Sequence, residues 1–281
     1  MGSPGMADTA TKTRSVGFIG LGSQGAPIAE RMMQAGHKLT VWTRRPDAAA
    51  DLVALGAAPA GSIAELGVAC DYVGVCVIDD TGVVEVCDQL LPAMKPGSLL
   101  VIHSTILPQT CEILVACAAE KGLELLDAPV SGGGPTAAAG TLTVMCGGTE
   151  SAFENAKAVL ETFATKIVLL GPAGAGQRAK LVNNALMAAN MGLAYAALDM
   201  AGELGVDRAA LADLIKHSSG RSFGFEVFAR LPRPEAFAHG AKLLLKDVKL
   251  LASILPGDRE TNSLAIAAGP FLDAAGVTNE S

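Results

Sequence analysis

Val16-Gly17-Phe18-Ile19-Gly20-Leu21-Gly22-Ser23-Gln24-Gly25 is an apolar run, then glycines spaced G-x-G-x-x-G, then a helical pattern from Gln24 to Ala35. In a chain with 32 glycines such a triplet arises by chance, so its setting decides its meaning. After a strand and before a helix, Gly20 permits the tight turn, Gly22 lets a pyrophosphate reach the backbone, and Gly25 lets helix and strand pack closely. The first N–H groups of the helix and its positive dipole end then face the anion. The run Gly20, Leu21, Gly22, Ser23, Gln24 and Gly25 is therefore expected to hold a dinucleotide.

A second strand is expected over Lys38 to Thr43, and its end selects the cofactor. An acid there accepts hydrogen bonds from a ribose 2′-hydroxyl, whereas arginine holds a 2′-phosphate. The chain reads Thr43-Arg44-Arg45-Pro46, with no acid between Gly36 and Pro46. NADP(H) is expected as the preferred cofactor and NAD(H) as possible. The alternative is that Arg44 and Arg45 are an ordinary solvated pair.

Outward from this unit, β-branched runs alternate with helical patterns. Strands are expected at Ser15 to Gly20, Lys38 to Thr43, Tyr72 to Val77, Leu99 to His103, Leu123 to Asp127, Thr141 to Cys146 and Lys166 to Leu170. Helices are expected at Asp80 to Leu91, Pro108 to Lys121 and Ser151 to Ala164. That alternation is the mark of a largely parallel sheet with crossover helices. Beyond Gly171 the strand signals stop. One long Ala/Met/Leu-rich helix is expected from Gly176 to Leu204, then helices at Arg208 to His217, about His239 to Leu255, and Ser263 to Ala275. The fold class is thus α/β: an N-terminal Rossmann-type doubly wound sheet followed by an all-α C-terminal domain, joined by a long helix. The expected divisions are residues 1–14 as a tag or disordered leader, 15–171 as the dinucleotide-binding domain, 172–205 as the interdomain helix and 206–281 as the substrate and dimerisation domain. Met1 to Gly5, before a second methionine at Met6, reads as a cloning remnant.

Composition removes several classes of function. The 281 residues carry a net charge of −7, without basic runs interleaved with aromatics, so no nucleic-acid partner is expected. Asn190 and Asp199 interrupt the most apolar stretch, which reads as a core helix, and no membrane association is expected. The six cysteines contain no C-x-x-C pair, which argues against a disulfide framework and a metal knuckle. A cytoplasmic protein with reduced thiols and no metal is expected.

Four segments carry a resemblance. Gly17 to Gly25 is the first. The second is Asp127-Ala128-Pro129-Val130-Ser131-Gly132-Gly133-Gly134, continuing to Gly140-Thr141-Leu142. There Ser131 with the flexible Gly132 and Gly133 can turn a hydroxyl and backbone N–H groups toward a carboxylate. Third is Gly171 to Asn184, in which Lys180 and Asn184 share a helical face while Asn183 points about 100° away. From spacing alone, Lys180 is either a solvated helix-start lysine or a functional one, because a buried ammonium is costly unless paired or used. The fourth is Lys246-Asp247-Val248-Lys249-Leu250-Leu251-Ala252, preceded by Phe237.

Together these resemble the β-hydroxyacid dehydrogenases, a family that includes 3-hydroxyisobutyrate dehydrogenase and tartronate semialdehyde reductase. The resemblance implies hydride transfer between NADP(H) and a small carboxylate-bearing hydroxyacid or semialdehyde. It implies Lys180 as acid/base, Asn184 orienting the substrate, and Ser131, Gly132 and Gly133 binding it, with Ser131 and Asn184 counted among the catalytic residues. It also places Thr105, in His103-Ser104-Thr105-Ile106-Leu107-Pro108, and Lys246 beside the cofactor, and implies a homodimer or homotetramer. Val77 and Ile78 are expected to line the cofactor cleft. His103 is given no chemistry, Asp79 and Asp80 read as helix caps rather than paired catalytic carboxylates, and Arg221 is either a surface cation or a contact for a second acidic group. Phe223 stands where the family often has an aromatic residue, which leaves the pocket shape open. Rivals are an imine reductase-like enzyme, which usually lacks a lysine at the position of Lys180, and a non-catalytic cofactor-binding module.

Overall fold

A computed structural model describes residues 13–256 and 262–278, so residues 1–12 of the expected leader lie outside the described part. Its contacts divide the chain into two compact units, 1–177 and 178–281.

The first unit runs β1 (Ser15–Ile19), α1 (Gly25–Gln34), β2 (Lys38–Trp42), α2 (Ala50–Ala54), β3 (Ala58–Pro59), α3 (Ile63–Ala69), β4 (Tyr72–Val75), α4 (Asp80–Leu90), β5 (Leu99–Ile102), α5 (Pro108–Ala119) and β6 (Glu124–Asp127). These strands form one parallel sheet in the order β3-β2-β1-β4-β5-β6. The order reverses between β1 and β4, the switch point beside which open α/β sheets collect ligands. Strand parity sorts the core. Val16, Phe18, Val41, Leu99 and Val101 pack with Ile28 and Met32 of α1. Ile19, Val73, Val75, Leu100 and Ile102 face the other way, onto Leu66 of α3, Val83 and Val86 of α4 and Leu114 of α5. A sheet covered on both faces requires such continuous apolar strands.

The next elements, β7 (Val130–Ser131), α6 (Gly133–Ala138), β8 (Leu142–Cys146), α7 (Glu150–Leu160) and β9 (Ala164–Leu169), leave that sheet and build a second one, β7-β8-β9. Here β7 and β8 are antiparallel, β8 and β9 parallel. The helix expected to reach Ala164 therefore stops at Leu160, and Ala164 begins a strand.

Helix α8 (Ala175–Glu203) crosses the division, and α9 (Arg208–Lys216), α10 (Phe223–Ala229), α11 (Ala238–Ile254) and α12 (Ser263–Ala274) complete the second unit. By length and composition α8 could cross a membrane. Its stripe Leu181, Ala185, Ala188, Met191 and Leu198 is instead buried among Phe225, Phe228, Leu244, Leu251 and Phe271. A Cβ on Gly192 would lie 1.8 Å from the Ala267 carbonyl oxygen, so glycine sets the close approach of α12 to α8.

Candidate active site

The loops after β1, β2 and β4 enclose a groove of about 350 Å³. Gly20, Leu21 and Gly22 form one wall, Thr43, Arg44 and Arg45 another, and Val77 and Ile78 a third. The backbone explains the glycines. Gly20 has φ +96°, and a Cβ there would lie 2.2 Å from the Cys76 carbonyl oxygen. A Cβ on Gly25 would lie 1.9 Å from the Gly20 carbonyl oxygen, whereas one on Gly22 meets nothing within 4 Å. Two glycines thus close the turn, and the third leaves space in front of it. Gln24 is the N-cap of α1 and makes no side-chain cap hydrogen bond, so its side chain does not occupy the helix N-terminus. An open backbone and a helix N-terminus fit the pyrophosphate of a dinucleotide, and Arg44 and Arg45 stand at the same groove.

Behind the groove, the loop after β5 is fixed from three sides. The Ser104 hydroxyl accepts from the Val77 amide at 2.8 Å. Gln177, fully buried, accepts from the Ile106 amide at 3.1 Å and donates to the Ser104 carbonyl at 2.9 Å. Asp80 accepts from the Leu107 amide at 2.9 Å and from the Thr110 hydroxyl at 2.6 Å, while Asp79 caps α4 through the Gly82 amide at 2.9 Å. Both aspartates hold backbone in place. Thr105, half-buried, sits in this loop. His103 donates from Nδ1 to the Ala128 carbonyl (2.9 Å) and lies between the rings of Phe18 and Phe163. Burial lowers its pKa to about 4, so it is a neutral core imidazole.

Ser131 pairs with Thr143 across β7 and β8, and the chain then passes through Gly132 and Gly133 at φ +138° and +79°. Two successive left-handed residues turn the backbone sharply, which only glycine allows without strain. Asp127, at the start of this segment, serves the scaffold: its carboxylate accepts from the amides of Gly174 (2.7 Å) and Gln177 (3.0 Å) and so caps the start of α8. Burial raises its pKa to about 6 against the opposing pull of those amides.

In the second unit Lys180 is only 7% exposed. Burial lowers its pKa to about 8, with Asp247 acting to raise it and Lys246 to lower it further. Asn184 donates from Nδ2 to the Asp247 carboxylate at 2.5 Å and accepts from Asn183 at 3.1 Å. Lys246 makes an ion pair with the buried Asp247 at 3.3 Å. A lysine with this pKa exchanges readily between ammonium and amine near neutral pH, as proton transfer to oxygen demands. Arg221, by contrast, is exposed and bonded to Glu226 at 2.7 Å, and Phe223 is exposed at the first residue of α10.

The family model for the NAD binding domain of 6-phosphogluconate dehydrogenase matches residues 15–171, and that described as NAD-binding of NADP-dependent 3-hydroxyisobutyrate dehydrogenase matches 174–259. The NAD-dependent L-serine dehydrogenase of Pseudomonas aeruginosa is 37% identical over 84% of each chain. The Mycobacterium tuberculosis 3-hydroxyisobutyrate dehydrogenase, solved with L-serine, superposes with a TM-score of 0.83 at 32% identity over 94% of each chain. Psf3, solved with NADP+ and 2-OPP, gives 0.81 at 28% identity over 95% of this chain and 96% of its own.

The chain belongs to the β-hydroxyacid dehydrogenase family. As a member of it, the protein is an oxidoreductase with NAD(P)-binding domains. For this β-hydroxyacid dehydrogenase, reading the motifs alone passed over Gln177, Ser104 and Glu85. The first two act by holding backbone. Glu85 comes to the groove from α4, 41 residues beyond Arg44, and bonds to it at 2.6 Å. Only the helical spacing that sets Thr81, Gly82, Glu85 and Val86 on one face of α4 could have hinted at it.

Proposed function

We propose that the protein transfers hydride between NADP(H), with NAD(H) as a possible second cofactor, and a small 3-hydroxy acid or the corresponding semialdehyde. The carrying observation is Lys180: buried, with its pKa lowered to about 8, and neighboured by an Asn184–Asp247 pair. Buried ionisable groups with a shifted pKa and a specific charge partner gather at functional sites. L-Serine and 3-hydroxyisobutyrate, named for two relatives, share the carboxylate and hydroxyl this chemistry needs.

Gly20, Leu21, Gly22, Ser23, Gln24 and Gly25 would hold the cofactor's pyrophosphate, Arg44 and Arg45 with Thr43 its 2′-phosphate, and Val77, Ile78, Thr105 and Lys246 its remaining contacts. When bound, the nicotinamide supplies or takes up the hydride. The Ser131 hydroxyl and the amides of Gly132 and Gly133 receive the substrate carboxylate. Asn184 spends one Nδ2 hydrogen on Asp247, and the other orients the substrate oxygen. In reduction the Lys180 ammonium gives its proton to the developing alkoxide, and in oxidation the amine takes the hydroxyl proton. The domain roles follow: residues 15–171 bind the dinucleotide, 172–205 form the connecting helix, and 206–281 serve substrate binding and dimerisation.

A homodimer or homotetramer is part of the proposal. Val182, Leu186, Leu193 and Met200, at spacings of four, seven and seven on α8, are 51%, 49%, 58% and 56% exposed, an apolar stripe of the kind subunit interfaces cover. Six unpaired cysteines accord with a reducing, cytoplasmic setting.

The test is NADPH oxidation, with NADH in parallel, against glyoxylate and the semialdehydes of succinate, tartronate and methylmalonate. Turnover that favours NADPH and vanishes in Lys180→Ala is expected. Tight NADPH binding with no turnover of any carbonyl acid would overturn the reading.

A further inference from the structure

The sequence around β2 contains no acid, yet the folded groove does. Glu85, carried by α4, lines the same groove as Arg44 and places Oε2 2.6 Å from the guanidinium Nη2. Both side chains are more than half exposed, so the pair is free to part and re-form. A 2′-phosphate entering the groove contends with this carboxylate for the Nη2 hydrogens of Arg44 and meets its negative charge as it arrives.

We infer that Glu85 is a specificity-determining residue: an internal anion that competes with the cofactor 2′-phosphate for Arg44 and so moderates the preference for NADP(H) over NAD(H). This rests on the reading of Arg44 as the 2′-phosphate grip. The physical basis is the difference between the two ligands. NAD(H) presents a neutral hydroxyl and leaves the Arg44–Glu85 pair intact. NADP(H) competes with it, gaining a charge-assisted phosphate contact at the expense of the ion pair. Exposed pairs are weak, so the moderation amounts to roughly threefold to fivefold in affinity. It is a bias rather than a block.

The experiment measures dissociation constants of NADPH and NADH by the fluorescence of the bound cofactor, for the wild type, Glu85→Gln, Arg44→Ala and the double variant. Glu85→Gln is expected to raise the ratio of the NADH to the NADPH constant by about threefold to fivefold, mainly through tighter NADPH binding. In the Arg44→Ala background the same change is expected to have less than about half that effect on a logarithmic scale, since the contested guanidinium is gone. An unchanged ratio in Glu85→Gln, or a lowered one, overturns the inference. So does an equal gain with and without Arg44, which would mark general repulsion rather than competition for one group. Failure of the underlying reading has a different signature: Arg44→Ala itself would leave NADPH binding unchanged.

Discussion

The dinucleotide groove and the lysine cluster are specified in opposite ways. The groove is shaped by what is missing: Gly20 and Gly25 have no Cβ where one would collide with a carbonyl oxygen, and Gly22 leaves open space. The cluster depends on what is present and hidden, an ammonium with lowered pKa, an amide and a carboxylate more than sixty residues apart in sequence. A shape written in missing atoms is local and costs little to maintain. A buried charge has a standing cost that its partners or its function must offset.

The sharpest way to break the comparison is therefore Lys180→Met. Removing the acid/base group is expected to lower kcat by roughly 10²- to 10⁴-fold in steady-state assays. It should also stabilise the fold at neutral pH. With a folded pKa of about 8 against 10.5, the folded state resists protonation, so the ammonium's penalty is fully present below pH 8 and disappears as pH rises through 10.5. Methionine escapes it, by about 3 kcal/mol at pH 7. A melting temperature that fails to rise at pH 7, or that rises equally at pH 10, would show that the lysine bears no such cost. The same titration sets the rate profiles. Reduction, which uses the ammonium, should fall off above pH 8, and oxidation, which uses the amine, should climb to a plateau there.

On the groove side, Gly25→Ala sharpens the comparison. The added Cβ, 1.9 Å from a backbone oxygen, must displace the turn or the helix. Overpacking of this kind costs about 1 to 3 kcal/mol, and because the turn is what moves, NADPH affinity should fall at least about tenfold. Gly22→Ala meets no protein atom, so it should leave the melting temperature in place while still weakening NADPH, since its methyl enters only the ligand's space. Equal thermal penalties for the two variants would break the distinction between closing and clearing glycines.

This contrast also explains what could be read from the sequence. The glycine turn, the alternating strands, and the long α8 are local patterns, and they were legible to within a few residues. The two-residue strands β3 and β7 are too short for alternation to register, and the short helices α2, α3, α6 and α10 span fewer than eight residues each. Nor could spacing show that β8 and β9 leave the main sheet, because sheet membership is a matter of pairing. The same limit hid the partners of the site. Lys180 and Asn184 could be placed on one face, but Asp247 beside Asn184, Glu85 on Arg44 and Gln177 on the β5 loop are meetings of distant segments. Asp127 stood inside a segment read for substrate binding, and its bonds to Gly174 and Gln177 turn it toward the scaffold.

Asp127, which has no part in the chemistry, tests whether the groove's unit also carries a hidden charge. Asp127→Asn keeps one acceptor oxygen where the carboxylate offers two, the same number that the protonated carboxyl offers the capped amides. Against this, the carboxylate is itself held at a disadvantage by burial: its folded pKa of about 6 lies above the ordinary 3.8, so the folded state binds the extra proton across that window. The wild type therefore has this contribution in full below about pH 4 and loses it as pH rises through 6, whereas asparagine has no proton to lose. The two should therefore be close in stability near pH 4, and the wild type should fall behind asparagine by roughly 2 to 3 kcal/mol by pH 7, as denaturant titrations at both pH values would show. A wild type that instead gained on asparagine as pH rose would mean that the Gly174 and Gln177 amides outweigh desolvation. Asp127 would then be a cap that gains from its charge, and the lysine cluster would be alone in carrying a costly one.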